Sequence, residues 1–303
     1  MFNSFILFFL GCFSFVLNTI VFGFLATLFG VLRFIFKKIN FLDGLFVLIL
    51  NNVNWLWHFT NHIILKFIYN FSINVHFPDG EDFLSPDKNY FLISNHSSGF
   101  DISVLGIVLY RKVPSLKFFL KKELLMTPFL GTACWALDMV FVSKNSSRKL
   151  RKSIAKNLSL IKRSCLQMMK NPFVLVSFLE GSRHNLNIKS KKSNISEYEF
   201  LLKPKVSGSV IAMSVLSKSV FKVIDVTIIY PKVDNKKPHL YNIFSCKIKK
   251  VDVIVRFFDL PDIDYKAYSE NIEVKNSFKS WIDSVWSSKD LLIKNFYLQN
   301  IDK

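Results

Sequence analysis

His96 and Asp101 stand five residues apart in Asn95-His96-Ser97-Ser98-Gly99-Phe100-Asp101, a spacing that can assemble a general base. Imidazole is the side chain that exchanges its proton near neutral pH, and a carboxylate beside it fixes its tautomer and steadies the imidazolium that forms. On a continuous helix, residues five apart diverge by about 140°, so the pair meets only across a turn, which Ser97, Ser98 and Gly99 can supply. Asp101 would then open a helical pattern over Ile102 to Leu109, where the helix dipole favours a carboxylate. Such a base can take a proton from a hydroxyl as that oxygen attacks a carbonyl. With no G-x-S-x-G motif in the chain, direct transfer without a covalent intermediate is the simpler mechanism. A helix-capping Asp beside an incidental His accounts for the same residues.

A second constellation follows the apolar run Phe173 to Phe178, in Leu179-Glu180-Gly181-Ser182-Arg183. Gly181 lets backbone N–H groups approach an anion, and Arg183 can grip a phosphate with two parallel hydrogen bonds. Glu180 can bond a substrate hydroxyl, hold the loop, or pair with Arg183. Positioning these residues requires strands, and apolar runs of strand length occur at Tyr90 to Ser94, Val140 to Val142, Phe173 to Phe178, Val223 to Tyr230 and Val251 to Phe257. They alternate with helical patterns, the longest from Arg148 to Lys170 with Leu150, Ile154, Leu158 and Ile161 on one side, so an α/β mixed sheet flanked by helices is expected. His184 to Glu197, rich in Asn, Lys and Ser, reads as a loop. Between the successive acidic residues Asp138 and Glu180 lie Lys144, Arg148, Lys149, Arg151, Lys152, Lys156, Lys162, Arg163 and Lys170, which suit anionic headgroups or a polyphosphate, or form a solvated helix face.

The whole chain has 303 residues, 50% hydrophobic, with 33 Phe and a formal net charge of +18. That composition excludes disorder and coiled-coil or collagen-like arrays. Cys12, Cys134, Cys165 and Cys246 form no C-x-x-C pair, so neither a zinc cluster nor a disulfide framework is indicated, and reduced thiols on a cytosol-facing protein are expected. The charge calls for an anionic partner, nucleic acid or a membrane surface. No zinc-finger, helix-turn-helix or RNA-binding signature supports nucleic acid, and the N-terminus favours the membrane. From Phe2 to Leu32 no residue is charged, equivalent to about 47 Å of helix against a bilayer core of about 30 Å. This reads as one tilted or overlong span, or two short helices broken near Gly23. A signal peptide does not fit, because a basic leader and small-residue cleavage site are missing and the run is too long. Arg33, Lys37 and Lys38 follow, placing the remainder in the cytoplasm by the positive-inside rule. Over residues 41–69, Trp55, Phe59, Ile63 and Phe67 recur at i+4, with Trp57 and Tyr69 placed for headgroup level. An interfacial amphipathic helix or a core-facing helix produces that pattern. His58 and His62 share the i, i+4 spacing of metal ligands without further ligands nearby, so packing or surface roles are expected, and no metal site.

The ordered set Asn95-His96-x4-Asp101, Lys121-Lys122-Glu123-Leu124-x3-Pro128-x2-Gly131, Val140-Phe141-x2-Lys144 and Glu180-Gly181-Ser182-Arg183 resembles the glycerolipid acyltransferase family. More narrowly it resembles the 1-acylglycerol-3-phosphate and lysocardiolipin acyltransferase branch, which carries Leu-Leu-Pro-Arg-x-x-Gly where this chain has Leu201-Leu202-Lys203-Pro204-Lys205-x2-Gly208. Asp225-Val226-Thr227, Val255-Arg256-Phe257 and the Trp281-to-Asp290 tail are similar to that branch too. The resemblance implies His96 as general base on a glycerol hydroxyl, with Asp101 orienting it. Lys144, standing where the family usually has Arg, and Arg183 with Gly181 and Ser182 would bind the acceptor phosphate. Glu180 belongs to the same substrate site. Lys121 and Lys122 are implied helpers for the phosphates of an acyl-coenzyme A donor, a co-substrate rather than a bound cofactor. Pro204 and Lys205 would shape the acyl-donor pocket. Lys for Arg at position 144 loses the bidentate fork, and Ser182 replaces the usual Thr while keeping the hydroxyl.

The expected organisation is a membrane-anchoring segment over 1–75, a catalytic domain over 76–260 and a helical tail over 261–303. Relatives in this branch tend to continue into further hydrophobic segments, which would leave anchoring here to residues 1–69. The expected activity is transfer of an acyl group from acyl-coenzyme A to the free hydroxyl of a lysophospholipid at a membrane, by family the endoplasmic reticulum. Lysophosphatidic acid is the first acceptor, and lysophosphatidylinositol or lysocardiolipin the alternative. A non-catalytic scaffold binding anionic lipid is the rival of another class.

Overall fold

The computed structural model of the chain describes residues 4–143, 150–182, 197–231, 240–265, 267 and 271–299, with the backbone alone at 150–157. The helices are α1 (Ser4–Phe36), α2 (Asn40–Tyr69), α3 (Asp101–Val108), α4 (Leu130–Ala136), α5 (Leu150–Met168), α6 (Ser207–Leu216), α7 (Leu240–Phe244) and α8 (Ile272–Gln299). The strands are β1 (Ser72–His76), β2 (Tyr90–Ser94), β3 (Leu116–Lys121), β4 (Val140–Val142), β5 (Val174–Phe178), β6 (Lys222–Ile229) and β7 (Lys250–Phe258), joined in one sheet of order β1-β7-β6-β2-β5-β3-β4. From β6 to β4 the neighbours are parallel, whereas β7 runs antiparallel to β6 and carries β1 parallel to itself. This is the α/β mixed sheet flanked by helices that the pattern of runs predicts.

Both faces of a parallel sheet must be covered, so its strands are apolar throughout rather than alternating with polar residues. β2 is buried along its whole length. Its successive residues nevertheless feed two separate cores: Tyr90 and Leu92 join Val174, Val176, Ile224 and Val226 under α1 to α4, while Phe91 and Ile93 join Leu175 and Val223 under α5, α6 and α8. Each run expected as a strand is one, within a residue at either end. β1 and β3 escape such a reading. β1 is an edge strand, mostly exposed, and β3 carries lysine at its second position as well as its last.

α1 is a single helix, unbroken at Gly23, and long and apolar enough to cross a membrane by length and composition. One face exposes Phe5, Phe9, Phe13, Val16, Ile20 and Phe24. Its other face is seated on the domain. At Gly23 a Cβ would stand 3.0 Å from the Phe129 carbonyl oxygen, so a side chain there would push α1 off the segment leading into α4. Asn18 Nδ2 donates to Asn61 Oδ1 at 2.7 Å, hooking α1 to α2. In α2 the residues Phe59, Ile63 and Phe67 are exposed, while Trp55 is half-buried with the Arg111 guanidinium 5.5 Å from its ring. The expectation for Tyr69 is corrected: it is 2% exposed, and its hydroxyl donates to the Leu7 carbonyl at 2.9 Å, because α1 covers that end of α2. Trp57 likewise stacks on Phe22 of α1 rather than standing free. His58 packs its ring against Gly106 of α3. Arg33 is buried between Asp43 at 2.8 Å and Asp138 at 2.7 Å, so Lys37 and Lys38 are left as the exposed charges of that flank.

Candidate active site

The parallel strands β2, β5, β6 and β3 all point their C-terminal ends to one edge, where loops leave the sheet and side chains converge. β2 leaves through Asn95, whose side chain continues the ladder on β6: its Oδ1 accepts from the Ile228 N–H at 2.8 Å and its Nδ2 donates to the Ile228 carbonyl at 2.9 Å. That clamp fixes where the next turn begins. His96 follows, and the turn through Ser97 to Phe100 brings Asp101 back as the first residue of α3.

His96 Nδ1 lies 2.9 Å from Asp101 Oδ2. The same oxygen accepts the backbone N–H groups of Ser97 at 2.7 Å and Ser98 at 2.9 Å, while Oδ1 accepts the Tyr230 hydroxyl at 2.8 Å. The carboxylate, fully buried, therefore holds the turn and orients the imidazole at once. Capping and base-orienting readings of Asp101 describe one arrangement. Nδ1 is committed to Asp101, so Nε2 is the nitrogen left to accept a proton. The ring stacks on Phe178, centroids 4.2 Å apart and planes at 18°, and Phe178 stacks in turn on Phe118. These aromatic rings oppose rotation of the imidazole away from the carboxylate.

β5 ends at Phe178 and leads into Glu180, which is 1% exposed with Oε1 accepting the His96 backbone N–H at 3.3 Å. Of the roles open to Glu180, bracing the histidine loop is the one the described residues display. Gly181 follows at φ +66°, a left-handed conformation that L side chains resist. Gly181 and Ser182 are both exposed beside it. Lys121 and Lys122 stand exposed where β3 ends, and since β3 pairs Phe118 with Val176 of β5, they lie on the same edge as Glu180. Pro204 is buried. Lys144 and Arg183 lie outside the described residues, as do Arg148, Lys149 and residues 184–196 of the expected loop.

Two groups that sequence reasoning did not single out complete the arrangement. Tyr230, the residue after β6, has its phenol pushed well above the usual 10 by burial and by the adjacent Asp101, so it stays a donor. Its carbonyl accepts the Tyr297 hydroxyl of α8 at 2.8 Å. The only signal was a Tyr closing an apolar run before Pro231. Lys289 of α8 is fully buried, 2.7 Å from Asp225 Oδ1 and donating to the Val226 carbonyl at 2.7 Å, while Arg256 bonds Asp225 Oδ2 at 2.7 Å. The similarities noted at Asp225, Arg256 and the tail thus meet in one ion cluster behind the sheet edge. An oriented base of this kind at a strand-end loop can deprotonate an incoming alcohol.

Residues 73–230, just over half of the chain, match the family model described as Acyltransferase. A curated 2-acyl-1-lysophosphatidylinositol acyltransferase of Saccharomyces cerevisiae (strain ATCC 204508 / S288c) is 26% identical over 139 residues, 42% of this chain and 33% of that protein. The chain spans about a third of the length of that relative. Among solved structures, the 1-acyl-sn-glycerophosphate acyltransferase PlsC from Thermotoga maritima is similar with a TM-score of 0.46 at 16% identity, over 91% of this chain and 98% of that one. The matched family segment runs from the second residue of β1 through β6 and closes on Tyr230, so it contains the whole His96, Asp101 and Glu180 arrangement.

Proposed function

We propose, from the premise that this chain belongs to the acyltransferase family, that it moves a fatty acyl group from acyl-coenzyme A to the free hydroxyl of a lysophospholipid. The observation that carries this reading is the His96–Asp101 pair, its carboxylate filled by four donors and its imidazole stacked at the mouth of the sheet. His96 Nε2 takes the hydroxyl proton as the alcohol oxygen attacks the thioester carbonyl. The tetrahedral intermediate then expels the thiolate of coenzyme A, which receives the proton from the imidazolium, leaving ester and free thiol. Both substrates are amphiphiles with phosphate groups, which suits a chain of formal charge +18 whose first two helices expose apolar faces.

Lysophosphatidic acid, giving phosphatidic acid, is the first acceptor. The match to a yeast protein named for lysophosphatidylinositol acylation favours that headgroup as the second. The reaction belongs at a membrane, with the endoplasmic reticulum as its place and the catalytic domain facing the cytosol, the side on which Lys37 and Lys38 stand exposed. The test is thiol release from oleoyl-coenzyme A by the purified chain over a panel of lysophosphatidic acid, lysophosphatidylinositol and monolysocardiolipin. His96→Ala should lower release on the best acceptor by about 10²- to 10⁴-fold, the usual worth of a general base, with the variant still retained in membranes. Undiminished release by that variant overturns the assignment.

A further inference from the structure

The segment 197–206 has no regular secondary structure, yet it is held closely. Asp290 of α8 accepts three successive backbone N–H groups, those of Glu199 at 2.8 Å, Phe200 at 2.8 Å and Leu201 at 3.0 Å. Trp286 Nε1 donates to the Leu202 carbonyl at 2.9 Å. The segment then crosses to the end of β5, where the Lys205 N–H donates to the Leu179 carbonyl at 2.7 Å. Its backbone is thereby tied to the residue before Glu180, and its side chain lies across Gly181. A Cβ at Gly181 would stand 3.0 Å from Lys205 Cδ and 3.3 Å from its Nζ.

Lys205 is exposed, and it has no ion-pair partner among the described residues. Neighbouring Lys203 and Lys294, by contrast, pair with Glu197 and Glu199. The adjacent carboxylate, Glu180, is buried with one oxygen turned to the His96 backbone. An ammonium left unpaired in water would ordinarily sample many rotamers. This one emerges from a backbone fixed on both sides, next to a bare glycine that leaves its face open, three residues along the chain from Phe178, the ring on which His96 is stacked. Cation, exposed backbone and absent side chain are the elements from which phosphate sites are built.

We propose that Lys205 is a phosphate-gripping residue of the substrate site, contacting an anionic substrate group across Gly181, and that α8 positions it through Asp290 and Trp286. The inference rests on the acyl-transfer reading for the identity of the substrates, though not for the existence of the anion site. Phosphate can come from the acceptor headgroup or from coenzyme A, and binding separates the two. The full chain, purified in detergent, is titrated with labelled lysophosphatidic acid and, separately, with labelled oleoyl-coenzyme A, using the parent, Lys205→Ala and Lys205→Arg. A charged hydrogen bond lost at an exposed site corresponds to roughly a tenfold weaker affinity. Lys205→Ala should bind one of the two ligands about tenfold more weakly, with Lys205→Arg restoring it and thermal stability unchanged. Loss on the lipid arm assigns the headgroup, and loss on the thioester arm assigns the donor. Equal affinities of parent and Lys205→Ala on both arms, or a parent that binds neither ligand, overturns the inference. A parent that binds through Lys205 but releases no thiol overturns the acyl-transfer reading and leaves the anion site standing.

Discussion

Asp101→Asn separates the charge of the carboxylate from its geometry. Oδ2 accepts three N–H donors, His96 Nδ1 and the backbones of Ser97 and Ser98. If the new amide nitrogen were placed there it would face two fixed backbone donors, each unsatisfied group costing about 1 to 3 kcal/mol. The amide oxygen must therefore keep the Oδ2 position, with the nitrogen turned towards the Tyr230 oxygen, a hydroxyl that can accept as well as donate. The histidine keeps its Nδ1–H tautomer and loses only the charge on its partner. Replacing a charged acceptor by a neutral one weakens a hydrogen bond by about 1 to 1.5 kcal/mol, which lowers the rate on the order of tenfold. Where the same change in a triad reverses the tautomer, about 10⁴ is lost, so the two outcomes are well separated. The assay is kcat for thiol release at saturating acyl-coenzyme A and acceptor, with His96→Ala measured alongside. A loss by Asp101→Asn as deep as that of His96→Ala refutes the claim that the Ser97 and Ser98 N–H groups fix the side chain. An unchanged kcat refutes any part for the charge.

Tyr230→Phe removes the donor to Asp101 Oδ1 in a fully buried site, so it should cost about 1 to 3 kcal/mol of stability. It should also lower kcat severalfold while leaving the KM for either substrate nearly unchanged, because the hydroxyl acts on Asp101 and not on substrate; an unaltered melting temperature contradicts this. Lys117, buried at the start of β3, donates to the Leu137 carbonyl at 2.8 Å. Burial pulls its ammonium from 10.5 down to about 8, with nearby Asp138 opposing and Arg33 assisting. Its folded value lies below its unfolded one, so the folded state releases that proton first and stability rises as pH climbs from about 8 to about 10.5. Lys117→Met should therefore show its largest gain over the parent near pH 7, the gap narrowing by about 3 kcal/mol at pH 10.5; a gap independent of pH in denaturant titrations refutes the cause given.

How much of this was legible depended on whether the cause lay in local pattern or in distant contact. β2, β5 and β6 were readable because a strand covered on both faces must be apolar without interruption, and few other elements are. Asn95, His96 and Asp101 were readable because a turn of fixed length joins them. β1 lacked a signal since one of its faces is open, and β3 since Lys117 is buried by α2 and α4 surroundings that no local window contains. Arg33 shows the same limit in reverse. In sequence it closes an uncharged run and reads as a flank charge; in space Asp138, 105 residues away, claims it. Tyr230 and Tyr297 were invisible because their partners are the carboxylate and the carbonyl of other segments, and nothing in either neighbourhood specifies a hydroxyl.

The C-terminal helix illustrates why such contacts matter more to the site than to the stability of the domain. α8 reaches each loop that frames the histidine: Tyr297 holds the Tyr230 carbonyl, Lys289 holds Asp225 and Val226, and Trp286 and Asp290 hold residues 199–202. A buried ion pair rarely adds net stability, since desolvation consumes what attraction returns. Here Lys289 and Arg256 are both set against Asp225, and Glu180, just past the end of β5, adds a smaller electrostatic pull on Lys289. Removing either Lys289 or Asp225 would strand a charge in the interior, so the paired groups can adopt few arrangements. Glu180 is also the group that braces His96. The tail bears on the His96 loop through direct contacts: the Tyr297 hydroxyl holds the carbonyl of Tyr230, whose own hydroxyl holds Asp101, which makes the tail part of that loop's geometry rather than an appendage to it.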